Sequence, residues 1–348
     1  MSGEVVSIEK ALNSRCSSGF GPRKSHFGTF VNKRPPETVI DQIINCLNIP
    51  RFSTGKLLHW LEDEYLFLGF ENPKNPSAER VLHVESGMQH EAVYLACAAE
   101  AVGTCAHNLG TDGTSKEGKT TTTKHRILEI IDPYGASKFT TRAPGPEKPF
   151  FLGKNLTTPS RDSGIECVTQ LPKLTTSSRS GPPATERDMS QLLWAARGRT
   201  PHFITIDRWK HMWGLTVPTW GGVQDYTSVY LVKSRKLYRY VNWTKEFSLM
   251  NRTLREKLGW TRGNPTHDIR FVGNVDASPH LNGHEKAIVL CQNEGTGRAL
   301  WEIGYMLENM LLQATSLGIS YESKVFSVDE ASELNEIGVA NAVAAVFM

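Results

Sequence analysis

Residues 175–200 read TTSSRSGPPATERDMSQLLWAARGRT, and after a short insert residues 214–232 read GLTVPTWGGVQDYTSVYLV. The first stretch begins with hydroxyl side chains around one cation, Arg179, and continues into a helix signal. Thr185 followed three residues later by Asp188 is a carboxylate version of the capping box, which marks a helix start. The apolar residues behind it recur at helical spacing: Met189, Leu192, Leu193 and Ala196. The pattern predicts a loop that leads into a buried amphipathic helix.

The second stretch predicts a turn followed by a strand. The turn Pro218-Thr219-Trp220-Gly221-Gly222 brings bare backbone amides to one place, because glycine lets a ligand approach the backbone closely. Residues 227–232 are rich in β-branched and aromatic side chains and predict a buried strand.

This order of segments resembles the flavin-dependent nitroreductase family, and within it the SagB-type dehydrogenases. Those proteins have an LP segment, an Arg-Ser pair, an LLWAA helix, a T-x-P-S-x-G turn and a strand. The counterparts here are Leu171-Pro172, Arg179-Ser180, Leu192 to Ala196, Thr216 to Gly221 and Ser228 to Val232. The residue before the turn is often Arg in relatives and is Leu215 here. The resemblance covers roughly the second half of the chain and rests on order and spacing together.

The resemblance implies an FMN cofactor and a set of residues that would hold it. In the family the Arg-Ser pair holds the FMN phosphate, and the P-S-x-G turn runs along the isoalloxazine ring. Arg197 or Arg199 would assist at the phosphate. Trp220 could stack on the ring and Gln224 could bond its pyrimidine edge, but a buried aromatic and a surface amide are equally simple interpretations. The predicted cofactor-binding residues are Arg179, Ser180, Pro218, Thr219, Trp220, Gly221, Gly222, Gln224, Glu308 and Gly318; no catalytic residue and no metal ligand is assigned.

Composition sets the broad class of the protein. The chain has 348 residues, of which 39% are hydrophobic and 22% charged, and a net charge of +3. This is ordinary for a globular protein, and the charge is too small to indicate nucleic-acid binding. The six cysteines contain no C-x-x-C pair, and no apolar run has the length of a membrane span. These features, with the absence of a signal-peptide pattern at residues 1–10, predict a cytoplasmic protein without a zinc site or a membrane association.

The elements along the chain predict an α+β fold, in which a mainly antiparallel sheet is flanked by helices in a nitroreductase-like arrangement. We expect residues 1–150 to form an accessory or degenerate nitroreductase-like half, 151–175 a linker and 176–348 the FMN-binding domain. The first thirty residues or so, rich in Ser, Gly, Lys and Arg, predict a loosely packed lead-in. The strongest helix signals lie at residues 83–103 and 299–317, and residues 57–70 fit either a helix or a strand.

The two strong helix signals can be compared with each other. The first contains Gly87, Glu91, Ala99 and Gly103, which echo Gly304, Glu308, Ala314 and Gly318 in the second with a spacing that differs by two residues. Residues 304–318 fit the core-helix pattern G-x-x-x-[QE]-N-x-x-L-x-A-x-x-x-G of nitroreductase-like proteins, and the first helix fits it only loosely. One interpretation is an internal duplication, in which two tandem halves form a pseudo-dimer. The other is that any small-residue helix ending in glycine shows this pattern.

Three further motifs were weighed against simpler interpretations. Residues 113–120, GTSKEGKT, match the P-loop pattern. That motif requires a strand before it and a helix after it, but here the sequence predicts a polar loop before it and has β-branched residues after it. His83 and Glu85 give the first half of a zinc-deaminase signature without its cysteines. His280 and His284 are four apart, in a segment with loop signals.

The function implied by the resemblance is an FMN-dependent oxidoreductase that transfers hydride through the flavin. Its substrate would be a peptide azoline or another small organic molecule, with NAD(P)H as candidate electron donor, in a homodimer or an intrachain pseudo-dimer. The Lys-Tyr pair linked to azoline oxidation has only an approximate counterpart in Lys236-Leu237-Tyr238. The alternatives are a flavin-free nitroreductase-like partner-binding subunit and a P-loop nucleotide-binding protein.

Overall fold

The structure is a computed structural model of the whole chain. It describes residues 6–15, 29–30, 33–71, 73, 75–100, 102–108, 120–128, 130–131, 151–152, 155–160, 167–206, 210–218, 226–243, 265–275, 283–293, 295, 297–336 and 338–348. Everything said below about packing and partners refers to these residues.

The helices carry clear start and stop signals. Asn75 caps α3 by accepting from the Ser77 amide at 2.9 Å, with Pro76 in the first turn. The predicted capping box of α4 is present, since the Thr185 amide donates to Asp188 at 2.8 Å and the Asp188 amide to the Thr185 hydroxyl at 3.2 Å. The helices in the described residues are α1 (Ile8–Ser14), α2 (Glu37–Asn45), α3 (Pro76–Ala99), α4 (Glu186–Arg197), α5 (Gly297–Leu317) and α6 (Val328–Glu336).

The strands form two larger sheets and two short ribbons. The strands are β1 (Thr29–Phe30), β2 (Leu57–Glu62), β3 (Tyr65–Glu71), β4 (Gly103–Asn108), β5 (Thr120–Leu128), β6 (Ile130–Ile131), β7 (Phe151–Leu152), β8 (Ser178–Arg179), β9 (Arg199–Ile206), β10 (Lys210–Leu215), β11 (Thr227–Lys233), β12 (Lys236–Trp243), β13 (Pro265–Asn274), β14 (Lys286–Gln292), β15 (Tyr321–Val325) and β16 (Ala342–Phe347). The large sheet has the order β7-β13-β12-β11-β14-β16-β15-β8 and the small one β2-β3-β5-β4. Among the described strands only the pair β7–β13 is parallel, so the predicted α+β class with an antiparallel sheet is confirmed.

The two sheets share one topology around their long helices. The small sheet places β2 and β3 before α3, and β4 and β5 after it, in the order β2-β3-β5-β4. The centre of the large sheet places β11 and β14 before α5, and β15 and β16 after it, in the order β11-β14-β16-β15. Every neighbouring pair in both sets is antiparallel. Each half of the chain therefore contains a β-β-α-β-β arrangement, with β12 and β13 inserted between β11 and β14 in the second half.

The long helices α3 and α5 pack against each other and carry the same short pattern. Both read Glu-x-Gly-x-x-x-Glu, at residues 85–91 and 302–308. The first glutamate of each helix accepts a hydrogen bond at or just before the first strand of its own half. Glu85 accepts from the Ser53 amide at 2.8 Å, shortly before β2, and Glu302 accepts from the Thr227 hydroxyl at 3.4 Å, at the start of β11. The main buried core contains side chains from both helices and both sheets, so the halves share one interior.

Several segments differ from their sequence-based predictions. The predicted loose lead-in contains α1, whose Ile8, Ala11 and Leu12 are fully buried, because these residues form one apolar helical face under the Ser7 cap. Residues 57–70 form the β2–β3 hairpin. The helix predicted at residues 83–103 begins at Pro76 and ends at Ala99, and Gly103 starts a strand in place of closing the helix.

Other expectations fall partly or wholly outside the described residues. The amphipathic run at residues 245–258, which predicts a further helix, lies outside them. Within the predicted linker, residues 151–175, Val168 and Leu171 are buried. This part of the segment is therefore packed into the protein and is not a free connection. The boundaries at 150 and 176 stay a prediction.

Candidate functional site

Three segments that carry the sequence pattern lie in order along α5. The end of the predicted linker and α4 each contact this helix through a polar side chain, and the segment leading to Pro218 contacts it through a backbone carbonyl. The hydrogen bonds are Thr175–Thr315 at 3.2 Å, Gln191–Gln313 at 3.1 Å and Asn309 to the Thr216 carbonyl at 3.2 Å. Six residues of helix separate Asn309 from Thr315, which is about 9 Å along the axis. The segment before the Arg-Ser pair and the segment before Pro218 thus contact one helix at two positions along its axis.

Arg179 sits on β8 at the edge of the large sheet, paired with Tyr321 of β15. Its side chain is half-buried, and its Nε atom has no contact with solvent and no hydrogen-bond partner among the described residues. Burial raises the pKa of Tyr321, and the nearby Arg179 charge works against that rise. Ser180, the next residue, is exposed. An arginine with unused donors beside an exposed hydroxyl has the chemistry that binds a phosphate.

Gly318 brings the end of α5 against this Arg-Ser pair. Its φ of +69° ends the helix in the left-handed conformation that glycine adopts without strain. A Cβ on Gly181 would lie only 2.5 Å from the Gly318 carbonyl oxygen. The close approach of the two backbones places Arg179, Ser180 and Gly318 near one another.

The backbone of the strand before Pro218 is fixed from several sides. The Thr216 amide donates to the Gly198 carbonyl at 3.0 Å. The Thr216 carbonyl accepts from both Asn309 at 3.2 Å and the Nε of Arg15 at 3.1 Å. Pro218 is partly exposed at the end of this anchored segment. The other predicted residues of the turn lie outside the described residues: Thr219, Trp220, Gly221, Gly222 and Gln224.

Glu308 is fully buried on α5 and faces a second buried carboxyl, Glu91 of α3. Burial and the Glu91 charge raise the pKa of Glu308 to about 8. Burial raises the pKa of Glu91 to about 7, while the nearby Arg15 guanidinium and the Asn309 amide oppose that rise. The oxygens of both carboxyls lack a well-formed hydrogen bond within the described residues. At neutral pH this pair therefore holds at least one proton inside the protein.

Arg15 is the part of the site that sequence reasoning missed. It follows α1, is 4% exposed, and lies 3.8 Å from a carboxyl oxygen of Glu91. The available signal was local: Ser7 before Ile8, Ala11 and Leu12 is a capped amphipathic turn. That signal predicts a helix but not its partner about two hundred residues further on.

The two arginines expected to assist at the phosphate are bound elsewhere. Arg197 donates to the Thr227 hydroxyl and pairs with Glu302 at 3.4 Å, and Arg199 donates to the Asn242 carbonyl at 3.3 Å. Both are buried. The expectation that either assists at a phosphate is not supported by these contacts.

Ser190, His267 and Tyr240 form a buried chain of hydrogen bonds that superficially resembles a catalytic triad. His267 bonds Ser190 at Nε2 and Tyr240 at Nδ1, both at 2.8 Å. Ser190 also donates to the Thr157 carbonyl at 2.7 Å, so it accepts its hydrogen bond from His267. A nucleophilic serine must give its proton to the histidine, which is the opposite direction. The chain ties α4 to the sheet and does not activate a nucleophile.

The remaining motifs take no part in the site. The strand β4 runs to Asn108, where a polar loop was expected, and residues 113–119 of the P-loop match lie outside the described residues. After it comes β5, antiparallel to β4, where a phosphate-binding loop needs a helix. His83 and Glu85 lie within α3, and His284 contacts Glu322 at 3.3 Å. The described residues contain no cluster of three His, Cys, Asp or Glu side chains placed to hold a metal.

Comparisons with known proteins give only distant structural similarity. No protein-family model and no curated protein matches the chain. The similar solved structures include three proposed nitroreductases. One from Anabaena variabilis has a TM-score of 0.46 at 10% identity, covering 98% of this chain and 99% of its own. One from Thermotoga maritima has a TM-score of 0.42 at 12% identity, covering 99% and 94%.

The third, from Ralstonia eutropha, has a TM-score of 0.35 at 19% identity, covering 57% of this chain and 91% of its own. Scores at this level do not by themselves assign the chain to a fold family or an activity. In the described part of the chain, no helix is both long and apolar enough to span a membrane.

Proposed function

We propose that this chain is an FMN-dependent oxidoreductase of the nitroreductase class. Arg179 and Ser180 would bind the phosphate, and the turn that starts at Pro218 would lie along the flavin ring. When bound, the flavin supplies hydride transfer, and the protein supplies binding, orientation and electrostatics.

The observation that carries the proposal is the alignment of the pattern's segments on one helix. Arg179 and Gly318 lie at the carboxyl end of α5, and the Thr216–Pro218 segment lies near Asn309 in its middle. A cofactor with an anionic end and a planar end needs two sites of different chemistry at such a separation. Arg179 fits the anionic end because its half-buried guanidinium has no ion-pair partner among the described residues.

Two groups on this chain would act without touching the phosphate. The Asn309 amide holds the Thr216 carbonyl and so fixes the direction of the chain into Pro218. Glu308 keeps a proton on its carboxyl at neutral pH, because burial disfavours the charged form. A protonated carboxyl in place of a carboxylate keeps negative charge away from an electron-rich cofactor.

The two β-β-α-β-β arrangements support the further proposal that the chain is an internal pseudo-dimer. The first half, within residues 1–150, would take the place of a second subunit, and residues 176–348 would carry the flavin contacts. In this arrangement the helix that faces Glu308 is α3 of the same chain. A homodimer would then not be needed to complete the site.

The substrate class follows only from the resemblance. A small organic molecule or a peptide azoline would be oxidised or reduced, with NAD(P)H as candidate electron donor. Lys236 lies directly after the two-residue turn of Ser234 and Arg235, at the tip of the β11–β12 hairpin. This position gives the Lys-Leu-Tyr segment no contact with the Arg179 or Pro218 groups among the described interactions, so a non-azoline substrate is the simpler proposal.

The test is an absorbance spectrum of the purified protein with FMN titration of the parent, Arg179→Ala and Arg179→Lys. Loss of charged hydrogen bonds to the phosphate should weaken FMN binding by about 2–3 kcal/mol, or roughly a hundredfold. Lysine should restore part of the affinity, since it keeps the charge and loses the planar fork. Arg187→Ala is the matched control, because Arg187 is an exposed cation in the first turn of α4.

The outcomes separate the competing functions. Equal FMN affinity in all variants would mean that Arg179 does not bind the phosphate. A colourless protein that takes up no FMN would favour the flavin-free partner-binding subunit. ATP binding that is lost in Lys119→Ala would favour the nucleotide-binding alternative.

A further inference from the structure

The segment from Ser7 to Arg15 is bound to the interior of the protein near its opposite end in sequence. Ile8, Ala11 and Leu12 belong to a buried cluster with Leu95, Trp194 and Leu312. Glu9 accepts a hydrogen bond from Gln313 of α5 at 2.8 Å. These contacts hold α1 against Leu312 and Gln313 of α5, about one helical turn from Asn309, which anchors the segment before Pro218.

Arg15 ends this segment and reaches two successive backbone carbonyls. Its NH2 group donates to the Leu215 carbonyl at 2.8 Å and its Nε to the Thr216 carbonyl at 3.1 Å. The guanidinium also lies over the Tyr94 ring, 5.4 Å from its centroid. A buried guanidinium requires such partners, because desolvation of an unpaired charge is costly.

The direction of these bonds has a consequence for the chain beyond Thr216. The planar fork of arginine fixes the relative orientation of the two carbonyls it bonds, which a lysine or a water molecule would not do. Pro218 then fixes its own φ, so little freedom remains between Leu215 and the start of the turn. The orientation of the backbone is therefore fixed from Leu215 to Pro218.

We propose that Arg15 is the positioning residue of the backbone from Leu215 to Pro218, so that the N-terminal segment is part of the functional site. This inference rests on the proposed function for its effect on FMN, but not for its effect on the backbone. Glu91 has a separate part, since it offsets the charge of Arg15 from 3.8 Å and does not contact the turn in the described residues.

The experiment separates positioning from charge compensation. Arg15→Met alone leaves Glu91 buried without its cation and can reduce folding for that reason. The informative comparison is therefore Glu91→Gln against the double variant Arg15→Met/Glu91→Gln, in which the carboxylate is absent from both. Arg51→Met is the control, because Arg51 pairs with a buried glutamate of the same helix, Glu85 at 3.0 Å, in the first half of the chain.

Two measurements decide the outcome. Hydrogen exchange of a peptide covering residues 215–217 should be at least about tenfold faster in the double variant than in Glu91→Gln, and unchanged in Arg51→Met. FMN affinity should fall by roughly tenfold to a hundredfold in the double variant, with Arg15→Lys between it and the parent.

Each result has one meaning. Unchanged exchange at residues 215–217 would overturn the proposal, whether or not the protein binds flavin. Faster exchange with unchanged FMN affinity would also overturn it, because Arg15 would then fix the backbone without positioning the site. If the parent binds no FMN, the flavin proposal fails, and faster exchange still establishes that Arg15 holds the backbone before Pro218.

Discussion

Gly87 and Gly304 face each other where α3 crosses α5. A Cβ on Gly304 would lie 2.8 Å from the α-carbon of Gly87 and would overlap the Val84 carbonyl. A Cβ on Gly87 would in turn overlap the Trp301 carbonyl. Each glycine therefore lies against the carbonyl three residues before the other one. This reciprocal contact is the relationship expected of two helices related by a two-fold axis.

Gly304→Ala should destabilise the protein strongly. The added methyl group meets the α3 backbone, which cannot move aside as a flexible side chain can, so the cost should reach about 3 kcal/mol or more. Urea unfolding of the parent, Gly304→Ala and Gly273→Ala gives the comparison. Gly273 has open space around its Cβ position and should tolerate alanine. Equal stability of the two variants would contradict the close helix crossing.

Glu308→Gln should stabilise the protein increasingly as the pH rises. The folded pKa of Glu308 is raised to about 8, so between its ordinary value and pH 8 the folded protein binds a proton that the unfolded chain releases. The stability of the parent therefore falls through this range by up to about 1.4 kcal/mol per pH unit, and glutamine removes that fall. Below the ordinary carboxyl pKa, this group should give the stability of the parent no pH dependence that Glu308→Gln lacks. The effect belongs to the Glu91–Glu308 pair, which titrates together.

Glu330→Gln is the control, because the pKa of the Glu330 carboxyl is shifted in the opposite direction, downward. Burial alone would raise the pKa of Glu330, but hydrogen bonds from Lys324 and Ser327 lower it, so the carboxylate stabilises the fold above its ordinary pKa. That contribution is lost as the pH falls through the folded pKa. Thermal unfolding between pH 5 and 8 should show Glu308→Gln gaining stability toward alkaline pH, and Glu330→Gln less stable than the parent at neutral pH. Parallel curves for the parent and Glu308→Gln would contradict the raised pKa.

Ser190→Ala should cost stability and leave any hydrolytic activity unchanged. The substitution leaves the Nε2 hydrogen of His267 and the Thr157 carbonyl without their partner in a buried place, which costs about 1–3 kcal/mol. Thermal unfolding and hydrolysis of a simple ester should be measured with exposed Ser332→Ala as control. Ester hydrolysis that disappears in Ser190→Ala alone would mean that the serine is a nucleophile.

The elements that could be predicted from sequence are those with strong local signals. The α4 helix carries its own capping box, and β11 carries a β-branched apolar run, so each could be predicted within a residue or two. The hairpin at residues 57–70 could not be distinguished from a helix, because its apolar residues fit both periods. Its pairing with β5 depends on a segment fifty residues further on.

The site was harder to predict because its parts meet only in three dimensions. Arg179, Ser180 and Gly318 come together through the close backbone approach at Gly181. Glu308 was found through its helix pattern, but Arg15, which lies near the neighbouring Glu91, belongs to a segment whose composition predicts a loosely packed lead-in. Asn309 gives no sign in sequence that its amide holds the Thr216 carbonyl.

The bond between Glu9 and Gln313 spans 304 residues of sequence. During synthesis, α1 leaves the ribosome before its helix partner on α5, which follows about 15–60 s later at ordinary elongation rates. Over that interval Ile8, Ala11 and Leu12 lack Leu312, one member of the cluster that buries them. Complete docking of α1 therefore requires synthesis to have passed Gln313.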